Sequence, residues 1–113
     1  ISIIDPPDYM NVGDNALFIG EICLMNDCIS APRYAIIDRK YYLDTARNIA
    51  SSSDYITFNG GGNFGDLWPD LHQFRLQIMR EFPDIPKIQF PQSICFRDDA
   101  ALDTERLETG KHA

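Results

Sequence analysis

The sequence predicts an α/β fold, a Rossmann-like parallel sheet flanked by helices. Three observations carry this. Short apolar runs alternate with segments of helical period, in the order β-α-β-α-β-α-β with one more polar helix in the tail. Prolines and polar turns separate these runs, and no tandem repeat or low-complexity stretch interrupts them. A run of three glycines, Gly60-Gly61-Gly62, stands between a strand-like and a helix-like segment. Such alternation favours parallel strands joined by right-handed crossovers.

Ile1 to Asp5 reads as a buried strand, and Pro6-Pro7 ends it because proline cannot donate to a ladder. Asn11 to Asn15 reads as a turn with Asp14 as the N-cap of a helix from Asn15 to about Asn26. Ala16, Ile19, Gly20 and Cys23 share one face of it, and their small size suits close packing on a sheet. Tyr34 to Asp38 is the second strand. A weaker helix follows, with Tyr42, Ala46, Ile49 and Ala50 on one stripe and Ser51 to Asp54 closing it.

Tyr55 to Phe58 is the third strand and runs into a glycine loop. Pro69 fits the first turn of the next helix, whose stripe is Leu71, Phe74, Ile78 and Phe82. Lys87 to Phe90 is the fourth strand. Residues 98–108 can form a polar helix anchored by Leu102 and Leu107. Four parallel strands make a small sheet. A further strand and a second domain are therefore expected beyond Ala113, and a start at Ile1 suits an excerpt or a processed product.

Length and composition narrow the function. The 113 residues suffice for one modest core, and 44% hydrophobic with 24% charged residues is ordinary for a globular chain. The net charge of -7, with scattered Lys and Arg, argues against nucleic-acid binding, which needs clustered cations. No apolar run approaches the roughly 18 residues of a membrane span. Cys23, Cys28 and Cys95 match no metal spacing and read as small buried hydrophobes in a reducing compartment. No ligand set demands a metal.

In parallel α/β sheets, ligands bind outside the carboxyl ends of the strands. Three loops lie there: Pro6 to Asn15, Asn59 to Trp68, and Pro91 to Phe96. They carry Asn11, Asp14, Asn15, Asn59, Asn63, Asp66, Gln92 and Ser93, the amides and carboxylates that a hydroxyl-rich ligand wants. Asp14 and Asp66 also suit helix caps, Trp68 suits rim packing or a sugar platform, and His72 suits a solvated surface. The glycines suit a tight turn or a ligand-facing backbone. No Lys-Ser/Thr follows them, so they are not a P-loop. Gly60, Gly62 and Gly65 meet the bare G-x-G-x-x-G pattern, but after the third strand rather than the first.

Asn11-Val12-Gly13-Asp14-Asn15-Ala16, Asn59-Gly60-Gly61-Gly62-Asn63-Phe64-Gly65-Asp66-Leu67-Trp68-Pro69 and Phe90-Pro91-Gln92-Ser93-Ile94 together resemble the polysaccharide pyruvyl transferase family, and so does His72-Gln73-Phe74-Arg75. These segments span residues 11 to 94. The resemblance implies transfer of pyruvate from phosphoenolpyruvate, as co-substrate and with no cofactor, to a sugar or lipid-linked saccharide as a ketal. It implies cytoplasmic work at the inner face of the membrane, in building exopolysaccharides or cell-wall polymers. It also implies that the chain is the acceptor-side N-terminal half of a GT-B-type two-domain enzyme, inactive by itself; as a fragment it would expose apolar surface where the other half docks, which favours self-association. The donor-binding His and Arg positions then fall outside the chain.

On that basis Asp14 and Asp66 are candidate catalytic residues that orient or deprotonate a sugar hydroxyl. Asn11, Gly13, Asn15, Asn59, Gly60, Gly61, Gly62, Asn63, Trp68, Gln92 and Ser93 are candidate substrate-binding residues. Arg97 is the only cation near these loops. Two other readings fit the same loops: the acceptor domain of a GT-B-type glycosyltransferase, and a non-catalytic carbohydrate-binding or scaffold domain.

Overall fold

A computed structural model of the chain describes residues 1–7, 11–65 and 68–95. It is an α/β structure in two compact units. The first unit comprises residues 1–60 and 85–91. It holds strands β1 (Ser2–Ile4), β2 (Ala35–Ile37), β3 (Ile56–Phe58) and β5 (Lys87–Gln89), with helices α1 (Val12–Cys28) and α2 (Asp44–Ser51). The second unit holds β4 (Gly61–Gly65), α3 (Pro69–Glu81) and β6 (Gln92–Cys95).

The four strands of the first unit are all parallel, in the order β2-β1-β3-β5. Register puts Ile4, Ile37 and Phe58 side by side on one face and Ile3, Ile36 and Thr57 on the other. Ile3, Met25 and Phe90 form a core cluster, with Ile1, Phe18, Ile22, Ile29 and Tyr34 packed on it. Ala50 of α2 is fully buried, and the Ser2 and Ser53 hydroxyls share a hydrogen bond of 2.5 Å. Ser51, Ser52 and Ser53 donate their hydroxyls back to the carbonyls of Asn48 and Ile49 as α2 ends. The carboxyl end of β1 is tied to a 3-10 turn, Arg39–Tyr41, through Asp5. Its carboxylate accepts the Arg39 N–H at 2.9 Å and lies 3.4 Å from Arg39 Nε.

The expected packing face of α1 is the wrong one. Ala16, Ile19, Gly20 and Cys23 are exposed, and a Cβ at Gly20 would meet nothing within 4 Å. The helix instead turns Phe18, Glu21, Ile22, Met25 and Ile29 inward. It is apolar on two sides, so period alone does not choose. The side carrying the larger side chains buries more area and wins. Cys23 and Cys28 are therefore exposed free thiols rather than buried hydrophobes. The cap is also displaced. Asn11 is the N-cap, its Oδ1 accepting the Asp14 N–H at 3.1 Å, and Asp14 sits inside the first turn.

In the second unit the expected glycine loop is a strand. β4 pairs in parallel with β6, Gly61 opposite Gln92, with an irregularity between Gly61 and Phe64. Gly61 takes φ 116°, which a side chain would resist. Helix α3 touches β4 and has Pro69 in its first turn, as expected. The predicted stripe is present, with Phe74 and Ile78 buried. A second stripe of His72, Arg75, Leu76 and Met79 is buried too, so His72 is not a surface residue. No helix among the described residues is long and apolar enough to cross a membrane. The tail-helix expectation lies outside the described residues.

Met25→Ala should cost about 2–5 kcal/mol in urea unfolding, as for other large-to-small core changes. Ile19→Ala, on the exposed face, should stay within about 0.5 kcal/mol. Equal losses at the two positions would contradict the orientation of α1.

Candidate functional site

Successive connections move one way from β1 to β2 and the other way to β3, so the strand order reverses between β1 and β3. At such a reversal the loops leaving neighbouring strands diverge and open a crevice at the carboxyl ends. Here those ends are Asp5 and Asn59-Gly60.

The peptide joining Asn59 to Gly60 is gripped at both of its polar atoms. Its N–H donates to Glu21 Oε1 at 2.8 Å, and its carbonyl accepts from Gln89 Nε2 at 3.2 Å. Gln89 Nε2 also donates to the Phe90 carbonyl at 2.9 Å. A Cβ at position 60 would overlap the Pro91 carbonyl oxygen and come within 3.0 Å of Glu21 Oε1. Only glycine permits this close approach. The contact brings together α1, the exit of β3 and the exit of β5.

Asn59 is itself buried, at 6% exposure, with Nδ2 3.3 Å from the Gly60 carbonyl. Its Oδ1 is buried and has no hydrogen-bond partner among the described residues. Buried polar atoms are rarely left so, which singles out Asn59, at the carboxyl edge of the sheet, as a candidate site residue. Glu21 is 7% exposed. Burial pushes its carboxyl above the ordinary value, and the Gly60 N–H offsets only part of that rise.

The Asn11 to Asn15 segment is the first turn of α1. Asn15 Nδ2 donates to the Asn11 carbonyl at 2.9 Å, so Asn11 and Asn15 reinforce the cap that Asp14 was expected to form. Gly13 is exposed, while Asp14 and Asn15 are half-buried. Glu21 lies seven residues along α1 from Asp14. At 1.5 Å per residue, roughly 10 Å of helix separates Asp14 from the Gly60 contact. The two predicted groups are thus successive stations along α1, not one cluster.

The remaining candidates belong to the second unit. Gly61, Gly62 and Asn63 are strand residues of β4. Gln92 opens β6, and both polar atoms of its side chain are buried without a partner among the described residues. Ser93 is exposed, and so is Trp68, which precedes α3. Asp66 and Arg97 lie outside the described residues. Buried His72 and Arg75 approach each other, Nδ1 to Nη1, at 3.1 Å.

Sequence reasoning missed Glu21, Gln89 and the His72–Arg75 pair. For Glu21 a signal existed, a lone carboxylate in phase with Phe18, Ile22 and Met25. Gln89 carries no such signal, because its role depends on which strand lies next to β5.

The raised Glu21 carboxyl has a measurable sign. Below the unfolded-state value, both states are protonated and burial costs nothing. As pH rises, the unfolded chain ionises first, so stability falls until the folded carboxyl has ionised too. Glu21→Gln removes this titration. The stability of the wild type relative to the variant should be greatest below about pH 4, the ordinary carboxylate range, and decline as pH rises through the folded pKa. Urea midpoints at a series of pH values would show it, and a flat or rising difference would contradict it.

No family model matches the chain. Pyruvyl transferase 1 of Schizosaccharomyces pombe is 32% identical over 108 residues, 91% of this chain and 27% of that protein. General stress protein 30 of Bacillus subtilis is 28% identical over 114 residues, 96% of this chain and 33% of that protein. The Bacillus subtilis protein named "Putative pyruvyl transferase EpsO" is 32% identical over 112 residues, again 96% of this chain and 33% of that protein. The chain spans a third or less of the length of these curated relatives. Over more than nine-tenths of its length, the chain is thus similar to two proteins whose names carry pyruvyl transferase, the activity of the family that its glycine run and flanking segments resemble.

Proposed function

We propose that the intact gene product is a polysaccharide pyruvyl transferase, and that this chain supplies the acceptor side of a GT-B-type enzyme whose other half binds the donor. The reaction adds two hydroxyls of one sugar across C2 of phosphoenolpyruvate. A proton enters at the methylene carbon and makes C2 electrophilic, and the first hydroxyl attacks it. Phosphate leaves, the second hydroxyl closes the ketal, and the two hydroxyl protons balance the new methyl group and the departing phosphate.

The acceptor side must hold two hydroxyls in attack geometry, which calls for fixed hydrogen-bonding groups more than for charge. The observation that carries the reading is the buried Asn59 Oδ1, without a partner among the described residues, beside the clamped peptide at the strand-order reversal. The names of the two pyruvyl transferase relatives support the reaction class. Asn11, Gly13 and Asn15 at the start of α1, Gly60 to Asn63, Trp68, Gln92 and Ser93 are the further residues assigned to the saccharide. A saccharide longer than one ring can touch both Asn59 and the start of α1, given the roughly 10 Å of helix between them. Asp14 or Asp66 orients a hydroxyl or takes its proton.

Incubation of the intact protein with phosphoenolpyruvate and pyranosides bearing free 4- and 6-hydroxyls should release phosphate and yield a ketal together. Phosphate release without ketal, or neither signal across a broad acceptor panel, would remove the reading. In an active enzyme, Asp14→Asn or Asp66→Asn should lower turnover about 100-fold, the scale of a lost general base. Full activity in both variants would remove these two roles.

A further inference from the structure

We propose that Glu21 is a positioning residue for the saccharide site, an inference that rests on the transfer reading above. Its buried carboxylate holds the Gly60 N–H, and Gln89 holds the other side of the same peptide. A peptide followed by glycine turns over easily, since no Cβ resists rotation at position 60. Here it is locked from both sides. Asn59, whose buried carboxamide oxygen has no hydrogen-bond partner among the described residues, is on the near side of that lock. The glycine run that becomes β4 is on the far side. Release of the Gly60 N–H therefore frees both the Asn59 side chain and the entry to β4.

The position is not explained by packing. Phe18, Ile22 and Met25 flank Glu21 on the inward side of α1, and an apolar residue there would avoid the desolvation of a carboxylate. At Gly60 both the helix carboxylate and the Pro91 carbonyl lie close against the backbone, in the space a Cβ would need. Glu21 does not touch substrate in this account. It acts through Gly60 and Asn59.

The test compares Glu21→Ala, Glu21→Asp and Glu21→Gln in the intact gene product. Alanine removes the acceptor, aspartate keeps the charge but falls one methylene short, and glutamine keeps a carbonyl oxygen within reach of the Gly60 N–H. The Ala and Asp variants should lose about 10- to 100-fold in kcat/KM for the saccharide, the cost of a misplaced binding group. Glutamine should restore most of that loss at a thermal midpoint no higher than that of the Ala variant. Hydrogen exchange at the Gly60 amide should quicken in the Ala and Asp variants and not in the Gln variant. If the Ala variant fails to fold, the Asp variant carries the comparison.

An active wild type with a fully active Ala or Asp variant overturns this role alone. So does equal impairment of Ala and Gln variants at equal stability. A wild type without turnover overturns the transfer reading and this role with it.

Discussion

The hydrogen bond from Gly60 to the Glu21 carboxylate is the constraint on which the carboxyl edge of the first unit's sheet depends. It is short, buried and charge-assisted, the kind of bond worth about 1.5–3 kcal/mol. Taking a carboxylate out of water costs several kcal/mol, so the bond offsets the burial without a clear gain in stability. What it provides is geometry. It fixes one peptide between a helix, the end of β3 and the Pro91 carbonyl, where a small sheet would otherwise leave a mobile turn.

The same contact sets the height of α1. Its middle is pinned at the carboxyl edge of β3, so its first two turns run on past that point. Val12, Leu17 and Ile19 on that stretch remain exposed, and the helix start carries the Asn11 cap and Asp14 outward. The core lies behind this, in the packing of Phe18, Ile22, Met25 and Ile29 around Ile3 and Phe90. The core and the carboxyl edge of the sheet thus meet different stretches of one helix.

Much of the fold was legible in the sequence. The runs at 1–5, 34–38, 55–58 and 87–90 hold the four parallel strands; the two central ones, β1 and β3, are buried throughout and need no periodic signal beyond hydrophobicity. Pro69 and the Phe74–Ile78 stripe marked α3 correctly. Errors arose where two patterns competed. α1 is apolar on two sides, so small residues were assigned to packing when large ones do it. The glycine run reads as a loop because glycine suits a tight turn or a ligand-facing backbone, yet β6 offers it a ladder that local sequence does not reveal. At the candidate site, Asn59 and Gly60 were visible as residues, while the Glu21 and Gln89 grips on them are tertiary facts. His72 reads as polar from sequence, but it lies on a buried stripe with Leu76 and Met79.

The central claim is that the carboxyl edge at Asn59-Gly60 receives the saccharide. Backbone and carboxamide NMR shifts of the isotope-labelled intact protein, followed as an acceptor saccharide is added without donor, address it most directly. The account predicts saturable shifts at the Asn59 side chain, Gly60 and Asn11 to Asn15, with little change at Ser53 to Tyr55 on the opposite edge of the sheet. Shifts confined to that opposite edge, or a bound saccharide that leaves Asn59 and Gly60 unmoved, would contradict it.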